Sequence, residues 1–565
     1  MKFPTYDADI VWLKRVQENL GKRSVENGKF DKIYDILRSK RLVRVAITNV
    51  LRNKGARTPG MDGISRRDLE SIQRRSDLVD EVTAELRSKK YRPTPVRRTY
   101  IPKANGKLRP LGIPTIKDRV VQEMLRLILE PIYEGKFYRH SYGFRPYRST
   151  HHAASRLWNL HGRYKFDWVV EGDIKACFDE IDHRNLKRVL RKEIKDERVI
   201  KLVGHFLSAG YVEEDGVVHK PSKGTPQGGI VSPLLANIFL NELDQFVAEM
   251  YDHRGLYTRR IAPRRVFLVR YADDFVIVTK TEEDARWMKK RITEFLDKLG
   301  LELSQEKTAI THIKRGYDFL GFNIRRYDTR TLIRPSKTAI KRFRRAFKAR
   351  LEIVIQKYGY QPYMIQSLNS FIQGWGQYYK WVSSKKVFKD LDHYIWHTAY
   401  RKALRLEGRR ATKRGTYLKR FLPRQLSTWP PDRKYKGRQF GIWKEYRKRA
   451  ILLRSLQQIP IEYVPFFKGL NPYLPGNVET LKKKTRYIPR SESSIPEIPE
   501  VSGVYGAGWR ATRNRILKRD GHCCTVCGTR KNLSVHHIDL RAGTPGAEED
   551  SNLITLCLKC HGRAS

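Results

Sequence analysis

The sequence is poor in acidic residues, in cysteine and in long apolar runs. Its 565 residues include 114 lysines and arginines but only 60 aspartates and glutamates, which gives a formal net charge of +54. A membrane-spanning helix is not expected, because no run of about 18 apolar residues occurs. Hydrophobic residues still make up 40% of the chain, which is enough for folded cores and excludes a wholly disordered protein.

The excess of positive charge favours a nucleic-acid partner. Uncompensated charge on this scale repels itself unless a polyanion neutralises it. Charge alone fits a ribosome-like RNA-binding protein without chemistry equally well. No apolar secretory segment follows Met1, so we expect an intracellular protein that makes no membrane contact.

The few cysteines are unevenly distributed. Cys177 stands alone, and the other five lie at or beyond position 523. The pair Cys524-x-x-Cys527 and the later pair Cys557-x-x-Cys560 form two knuckles that can close tetrahedrally on one structural zinc ion. A late cluster of this kind favours a metal site over a disulfide framework.

The pattern of apolar residues predicts a multidomain α+β protein. From position 167 to 311, short β-branched runs alternate with helix-like segments, as in an α+β core. Beyond about residue 335 the strand signals vanish, and basic helices interleaved with aromatics are expected. We expect part of the aromatic run from Trp375 to Trp381 to pack as a helical face. The segment SESSIPEIPEVSG at 491–503 is typical of an exposed linker.

One acidic turn stands out between two apolar strands. VFLVRYADDFVIVTK at 266–280 predicts a hairpin with Asp273 and Asp274 at its tip, and the strand WVVEGDI ends near Asp173. Adjacent carboxylates repel each other unless a cation lies between them. Two Mg²⁺ ions held by three such groups suit nucleotidyl transfer. The alternative is a solvated acidic turn.

Several distinctive blocks follow one another along residues 50–325. They are TPGMDG at 58–63, RPLGIPTIKDRVVQ at 109–122, SYGFRP at 141–146, GDIKACFDEID at 172–182, GTPQGGIVSPLLANIFLNELD at 224–244, YADD at 271–274, LELSQEKT at 301–308 and FLGF at 319–322. In this order the blocks resemble those of group II intron reverse transcriptases. The resemblance implies right-hand polymerase fingers and palm, with Asp173, Asp273 and Asp274 as catalytic metal ligands.

The same resemblance implies a nucleotide pocket. Phe178 falls at the position of the aromatic gate that excludes a ribose 2′-hydroxyl, although ordinary core packing is an alternative for this residue. Gln227 matches the residue beside the incoming nucleotide, and its glycine neighbours permit close backbone approach. Lys103 and Arg109 match positions that grip the triphosphate; solvated or template-facing charges are the alternative for both.

Two further resemblances concern the last third of the chain. IQGWGQYYKW resembles a block of the group II intron maturase region, a helical thumb that binds intron RNA. The C-terminal pattern CTVC, LSVHHIDL and DSNLITLCLKCH resembles an HNH endonuclease of ββα-metal fold. It implies His537 as general base, His536 and His561 as ligands of a catalytic divalent ion, and Asn552 as an orienting residue. A zinc finger that binds DNA without cutting it is the alternative.

These resemblances together imply a division into five regions. The regions are an N-terminal extension with fingers at 1–165, a palm at 166–330, a helical thumb or maturase domain at 331–430, a basic DNA-binding segment with linker at 431–505, and an HNH domain at 506–565.

The implied function is that of a group II intron-encoded protein. Such a protein copies RNA into DNA, assists splicing of its intron RNA in a ribonucleoprotein, and nicks target DNA to make the primer, in a bacterial cell or an organelle. Its partners would be intron RNA, target DNA and dNTPs. A retron-like reverse transcriptase, a splicing-only maturase and a free-standing homing endonuclease are the rival functions.

Overall fold

The structure is a computed structural model. It describes residues 2–102, 108–225, 228–250, 266–304, 306, 308–358, 362–407, 441–444, 449–462, 470–484, 509–530, 533–537 and 553–557. The chain divides into two compact units. The first comprises Met1–Lys341, Tyr379–Ser384 and Ile461–Pro489, and the second comprises Arg342–Tyr378, Lys385–Pro460 and Arg490–Ser565.

Helices occur along the whole described chain. They are α1 (Tyr6–Val25), α2 (Tyr34–Leu37), α3 (Lys40–Arg52), α4 (Ile72–Arg87), α5 (Ile116–Glu134), α6 (Thr150–Gly162), α7 (Cys177–Glu180), α8 (His183–Glu193), α9 (Glu197–Ser208), α10 (Ser232–Glu249), α11 (Glu282–Leu299), α12 (Lys337–Tyr358), α13 (Pro362–Tyr379), α14 (Lys385–Glu407), α15 (Asn477–Lys484) and α16 (Trp509–Arg519).

Strands are short and occur mainly in the first unit. They are β1 (Val96–Pro102), β2 (Leu108–Ile113), β3 (Trp168–Asp173), β4 (Tyr211–Val212), β5 (Val218–His219), β6 (Val266–Tyr271), β7 (Asp274–Thr279), β8 (Ala309–His312), β9 (Tyr317–Phe319), β10 (Phe322–Tyr327), β11 (Arg330–Pro335), β12 (Gly441–Lys444), β13 (Arg449–Leu452), β14 (Leu533–His537) and β15 (Leu553–Cys557).

In its described residues, the first unit contains three sheets and a helical N-terminal region. Helices α1 and α3 pack on α5, and α4 packs on α3. One sheet has the strand order β2-β1-β4-β5, a second β6-β7-β3-β8 and a third β11-β10-β9. The second sheet is antiparallel throughout, with α10 against β6 and α11 against β3 and β7. The predicted alternation of strands and helices is therefore confirmed.

Local sequence signals explain where α11 begins and ends. The Thr281 hydroxyl accepts a hydrogen bond from the Asp284 amide at 3.1 Å and thereby caps the N-terminus. The acidic residues of the first turn complement the positive end of the helix dipole. At the other end Gly300 adopts φ +77°, a left-handed conformation that stops the helix.

A buried histidine joins α6 to the sheets. The His161 Nδ1–H donates to the Phe166 carbonyl at 2.5 Å, and its Nε2 accepts from the Tyr317 hydroxyl at 2.8 Å. Because His161 is fully buried, charging it is unfavourable, and burial lowers the pKa of its imidazole to about 4. This neutral side chain connects β9 to the segment that leads into β3.

The second unit begins with packed helices. Phe343 of α12 lies 4.9 Å from Trp375 and 5.1 Å from Phe371 of α13, measured between ring centroids. The expectation that part of the aromatic run packs as a helical face is therefore confirmed for Trp375. The Asp392 carboxylate of α14 accepts hydrogen bonds from the amides of Leu456 and Gln457.

One feature of the last third differs from the sequence-based expectation. The strands do not vanish after residue 335, because β12 and β13 pair as an antiparallel hairpin. Their apolar runs, GIW and AIL, are short and lie among basic residues, so the sequence shows no clear strand pattern there. In the first unit Tyr473 packs against Gly21 of α1 and donates to the Glu130 carboxylate of α5 at 2.7 Å, so part of the expected DNA-binding segment contacts the N-terminal helices.

Within the described residues, no helix combines the length and apolarity needed to cross a membrane.

The first prediction concerns acid stability. The His161 pKa of about 4 lies below its ordinary value of 6.5, so the unfolded state binds the proton more tightly and stability falls as the pH drops below about 6.5. The loss should approach about 1.4 kcal/mol per pH unit between those two pKa values. Denaturant unfolding at pH 7 and pH 5 should show a shallower pH dependence in His161→Gln. The exposed His219→Gln is the control, and equal slopes in all three proteins would contradict the prediction.

Candidate functional site

The acidic turn lies at the end of the β6–β7 hairpin. Tyr271 pairs with Asp274 across the hairpin, so Ala272 and Asp273 form its two-residue loop. Ala272 has φ +56°, a left-handed conformation that an L-residue adopts at a cost of about 1 to 2 kcal/mol. Strain of this kind persists only where the surroundings hold it.

The third carboxylate is brought to the same sheet edge by strand pairing. Strand β3 runs antiparallel to β7, and their register places Asp173 directly opposite Asp274. Asp173 and Asp273 are half-buried, whereas Asp274 is exposed. The hydrogen-bonded pairing of β3 with β7 therefore brings together aspartates that are far apart in the sequence.

The pKa of the neighbouring Cys177 thiol is affected by two of these aspartates. Burial raises the pKa of Cys177, and the carboxylates of Asp273 and Asp173 raise it further. Both acidic groups therefore lie close enough to one buried atom to oppose its ionisation. Three like charges at a sheet edge are unfavourable by themselves.

The donor set fits hard divalent cations. Carboxylate oxygens on paired strands are rigidly placed ligands, and their partial exposure leaves room for water and substrate. The three aspartates do not form a tight single-ion cage. Among the described residues, only a cysteine group has three or more potential ligand atoms all within 4.8 Å of one another.

Gly143 of the SYGFRP block packs against the acidic turn. A Cβ atom at this position would lie 2.4 Å from the Ala272 nitrogen, which is far inside van der Waals contact. The resemblance carried by the SYGFRP block implied no role for Gly143. The signal that could have found it is a glycine between two aromatic residues, since glycine permits a close approach of backbone.

Phe178 lies beside the acidic strands. Its half-buried ring packs on the main core and makes an edge contact with Phe144, with ring centroids 6.5 Å apart. Its carbonyl accepts a hydrogen bond from the Thr225 amide at 2.7 Å. The backbone of the expected gate residue is thus attached to the start of the TPQGG loop.

The remaining nucleotide-pocket residues are only partly described. Arg109 is exposed on β2, opposite Ile101 of β1. Lys103 and Gln227 lie outside the described residues. Gly228 has φ +113°, and a Cβ there would lie 2.2 Å from the Gly112 carbonyl oxygen of β2, so a side chain does not fit between this loop and β2.

Three of the four predicted zinc cysteines converge. The ligand atoms of Cys524, Cys527 and Cys557 all lie within 4.8 Å of one another, and the sulfurs of Cys527 and Cys557 are 3.7 Å apart. Tetrahedral coordination with Zn–S bonds of about 2.3 Å separates sulfurs by about 3.8 Å. The geometry therefore fits zinc. Cys560 lies outside the described residues.

Hydrogen bonds from the local backbone lower the pKa of one of these thiols, that of Cys524. Burial raises the pKa of Cys524, but hydrogen bonds from nearby backbone amides, that of Cys557 foremost, outweigh this effect and lower the pKa to about 6. A thiol that ionises easily is a better zinc ligand. The turn after Cys527 needs a left-handed residue, which Gly528 supplies with φ +71°.

The expected nuclease residues are described only as backbone or not at all. Strand β14 pairs antiparallel with β15, with His536 opposite Ile554 and His537 opposite Leu553. The side chains of both histidines lie outside the described part of the chain, as do Asn552 and His561 altogether. The ββ portion of the expected fold is therefore in place next to the cysteine cluster.

An acidic hairpin tip beside a third aspartate, on an antiparallel sheet packed against helices, is the arrangement expected of a nucleic-acid polymerase. Comparison with known families agrees. Residues 101–324 match "Reverse transcriptase (RNA-dependent DNA polymerase)", residues 344–421 match "Group II intron, maturase-specific domain" and residues 524–565 match "HNH endonuclease".

Relatives identify the particular family. The chain is 30% identical to the "Group II intron-encoded protein LtrA" of Lactococcus lactis subsp. cremoris, over 97% of this chain and 98% of that protein. It is also 39% identical to "Protein YkfC" of Escherichia coli (strain K12), over 50% of this chain and 79% of that protein. The chain belongs to the group II intron-encoded proteins. It combines reverse transcriptase, maturase and HNH endonuclease domains.

The second prediction tests the contact at the turn. Gly143→Ala would place a methyl group against the Ala272 backbone, so the acidic turn must shift. A displacement of about 1 Å should lower the primer-extension rate about 100-fold. Steady-state extension on a primed RNA template measures this effect.

The matched control for that experiment is Gly162→Ala. A Cβ at Gly162 meets nothing within 4 Å, so this variant should extend primers as the wild type does. Equal rates for Gly143→Ala and the wild type would contradict the steric argument.

Proposed function

We propose that this chain copies RNA into DNA at Asp173, Asp273 and Asp274, with two Mg²⁺ ions as cofactors. The observation that carries the proposal is the strand register, which sets Asp173 opposite Asp274 with Asp273 in the adjoining turn. Magnesium prefers oxygen ligands and open positions for water and phosphates. Two ions bound there would activate the primer 3′-hydroxyl and stabilise the leaving pyrophosphate.

The chain's own residues would select and orient the dNTP. Phe178 is the proposed gate, because a ring held against the core would exclude a ribose 2′-hydroxyl sterically. Arg109, which is exposed on β2, would bind the triphosphate through its planar guanidinium. Lys103 and Gln227 would complete the pocket, the former as a point charge and the latter beside the nucleotide.

The region that matches the maturase-specific domain would bind the intron RNA and assist its splicing. The basic segment at 431–505 would contact target DNA. A net charge of +54 supports a polyanionic partner, since each neutralised phosphate releases counterions. We therefore place the protein inside the cell, in a ribonucleoprotein with its intron.

The C-terminal domain would nick target DNA and thereby make the primer. Cys524, Cys527, Cys557 and Cys560 would hold a structural zinc ion. His537 would act as general base, because a neutral imidazole accepts a proton near pH 7. His536 and His561 would hold a divalent ion at the scissile phosphate, and Asn552 would orient the motif. The nick exposes the 3′-hydroxyl that the polymerase site extends.

The third prediction concerns the polymerase aspartates. Asp273→Ala should lower primer extension at least about 1000-fold, since it removes a ligand to charge-stabilising cations. Intron RNA affinity should not change. The melting temperature of the metal-free protein should hold or rise, because one of three repelling carboxylates is removed.

The control for this variant is Asp297→Ala, which removes an exposed carboxylate near the end of α11. It should extend primers as the wild type does. A joint loss of extension, RNA binding and thermal stability in Asp273→Ala would instead assign Asp273 a structural role.

The fourth prediction separates cutting from folding in the C-terminal domain. His537→Ala should abolish nicking of the target DNA strand, while zinc content stays at one equivalent and extension from a supplied nick persists. Cys527→Ser should lose zinc as well as nicking, because the module's core is too small to fold unaided. Metal analysis and strand-specific cleavage assays measure both outcomes. Normal nicking by His537→Ala would refute the general-base role.

A further inference from the structure

An arginine is buried immediately before the acidic turn. Arg270 is the one charged residue of β6, whose other members are apolar or aromatic, and its side chain is 0% exposed. A buried guanidinium is strongly unfavourable unless its donors are paired. Its partners therefore reveal what the position is used for.

The guanidinium is held by α10. Its Nε donates to Asp244 Oδ1 at 2.6 Å and its Nη2 to Asp244 Oδ2 at 2.5 Å, a bidentate pair with both side chains fully buried. The remaining nitrogen, Nη1, donates to the Asn237 Oδ1 at 3.0 Å and to the Ala272 carbonyl at 2.8 Å. One arginine thus joins a helix to the turn that carries Asp273.

Asn237 closes the network on the other side of the turn. Its Nδ2 donates to the Gly143 carbonyl at 2.7 Å, and Gly143 is the residue that packs against the Ala272 nitrogen. Asn237 and Asp244 are seven positions apart on α10, so two helical turns put them on one face. The α10 face that bears Asn237 and Asp244 therefore holds the turn in two ways. Arg270, bound to this face, donates to the Ala272 carbonyl, and Gly143, bound by Asn237, packs against the Ala272 nitrogen.

Stability alone does not account for this arrangement. Replacing a buried ion pair with apolar residues of similar volume is often neutral or stabilising. The hydrogen bond to Ala272 holds a left-handed alanine whose conformation is strained by itself.

We propose that Arg270, oriented by Asp244 and Asn237, is a positioning residue that keeps the Ala272–Asp273 turn in its ligand-holding conformation. The proposal rests on the proposed role of Asp273 as a metal ligand. It assigns to α10 a function beyond core packing, namely alignment of the catalytic carboxylates.

The test is the double variant Arg270→Met/Asp244→Leu, which removes both charges together and leaves no unpaired buried ion. Its melting temperature should stay close to that of the wild type. Amide hydrogen exchange in the 266–279 segment of the metal-free protein should accelerate about tenfold or more, because the turn loses its anchor. Mn²⁺ affinity should fall about tenfold, and the kcat of primer extension about 100-fold.

A second variant, which keeps the buried ion pair, tests the same network with a smaller risk of misfolding. Asn237→Ala keeps the ion pair and removes only the amide that joins Arg270 to Gly143, so it should shift exchange and Mn²⁺ affinity in the same direction. The control Arg44→Met/Asp9→Leu removes a bidentate pair between α1 and α3 and should leave the turn's exchange and Mn²⁺ affinity unchanged.

The outcomes separate this inference from the proposed function. Wild-type exchange, Mn²⁺ affinity and kcat in a folded double variant would overturn the positioning role of Arg270, with the polymerase assignment intact. Wild-type exchange and Mn²⁺ affinity in Asn237→Ala would overturn the part assigned to Asn237. If the wild type neither binds Mn²⁺ nor extends primers, the proposed function fails. The exchange measurement on metal-free protein still decides whether Arg270 anchors the turn.

Discussion

Electrostatic repulsion among the three carboxylates at one sheet edge is the constraint on which the candidate polymerase site depends. Two unit charges about 4 Å apart repel by about 4 kcal/mol at an effective dielectric constant of 20. Each fully buried valine or isoleucine contributes about 1.5 to 3 kcal/mol. Strands β3, β6 and β7 contain enough such residues, among them Val269, Ile277 and Val278, to hold the charges in place before a cation arrives.

Close backbone contact is the second requirement of this region. The turn, the SYGFRP segment, the TPQGG loop and β2 approach one another where side chains would not fit, at Gly143 and at Gly228. The Thr225 amide is bonded directly to the Phe178 carbonyl. Direct backbone contacts thereby join blocks that are separated in the sequence, which would suit a reaction that depends on positioning and charge stabilisation.

The C-terminal domain is organised on a different physical basis. Its apolar core in the described residues is small, with Ile516, Leu517, Val535 and Leu553 in one cluster, and such a core stabilises little by itself. A zinc ion held by the converging thiols of Cys524, Cys527 and Cys557 would supply the missing stability, because metal binding energy becomes folding energy. The two enzymatic parts of the chain should therefore respond differently to chelators.

The sequence by itself determined the class of chemistry and much of the fold. Short β-branched apolar runs on both sides of YADD predicted the hairpin, the cysteine spacing predicted a metal cluster, and the ordered blocks indicated the family. These signals are local, or they repeat the order of a known family, so they can be read along one chain. The β12–β13 hairpin was missed because its apolar runs are too short to show periodicity within a basic segment.

Only the tertiary structure decided which distant residues meet. The pairing of Asp173 with Asp274 depends on strand register, and a slip of one residue would turn every side chain to the other face. The packing of Gly143 on the turn, the burial of Arg270 against Asp244, and the contact of Tyr473 with the N-terminal helices depend on how whole elements dock. Docking is a property of the assembled core, and no local pattern of residues encodes it.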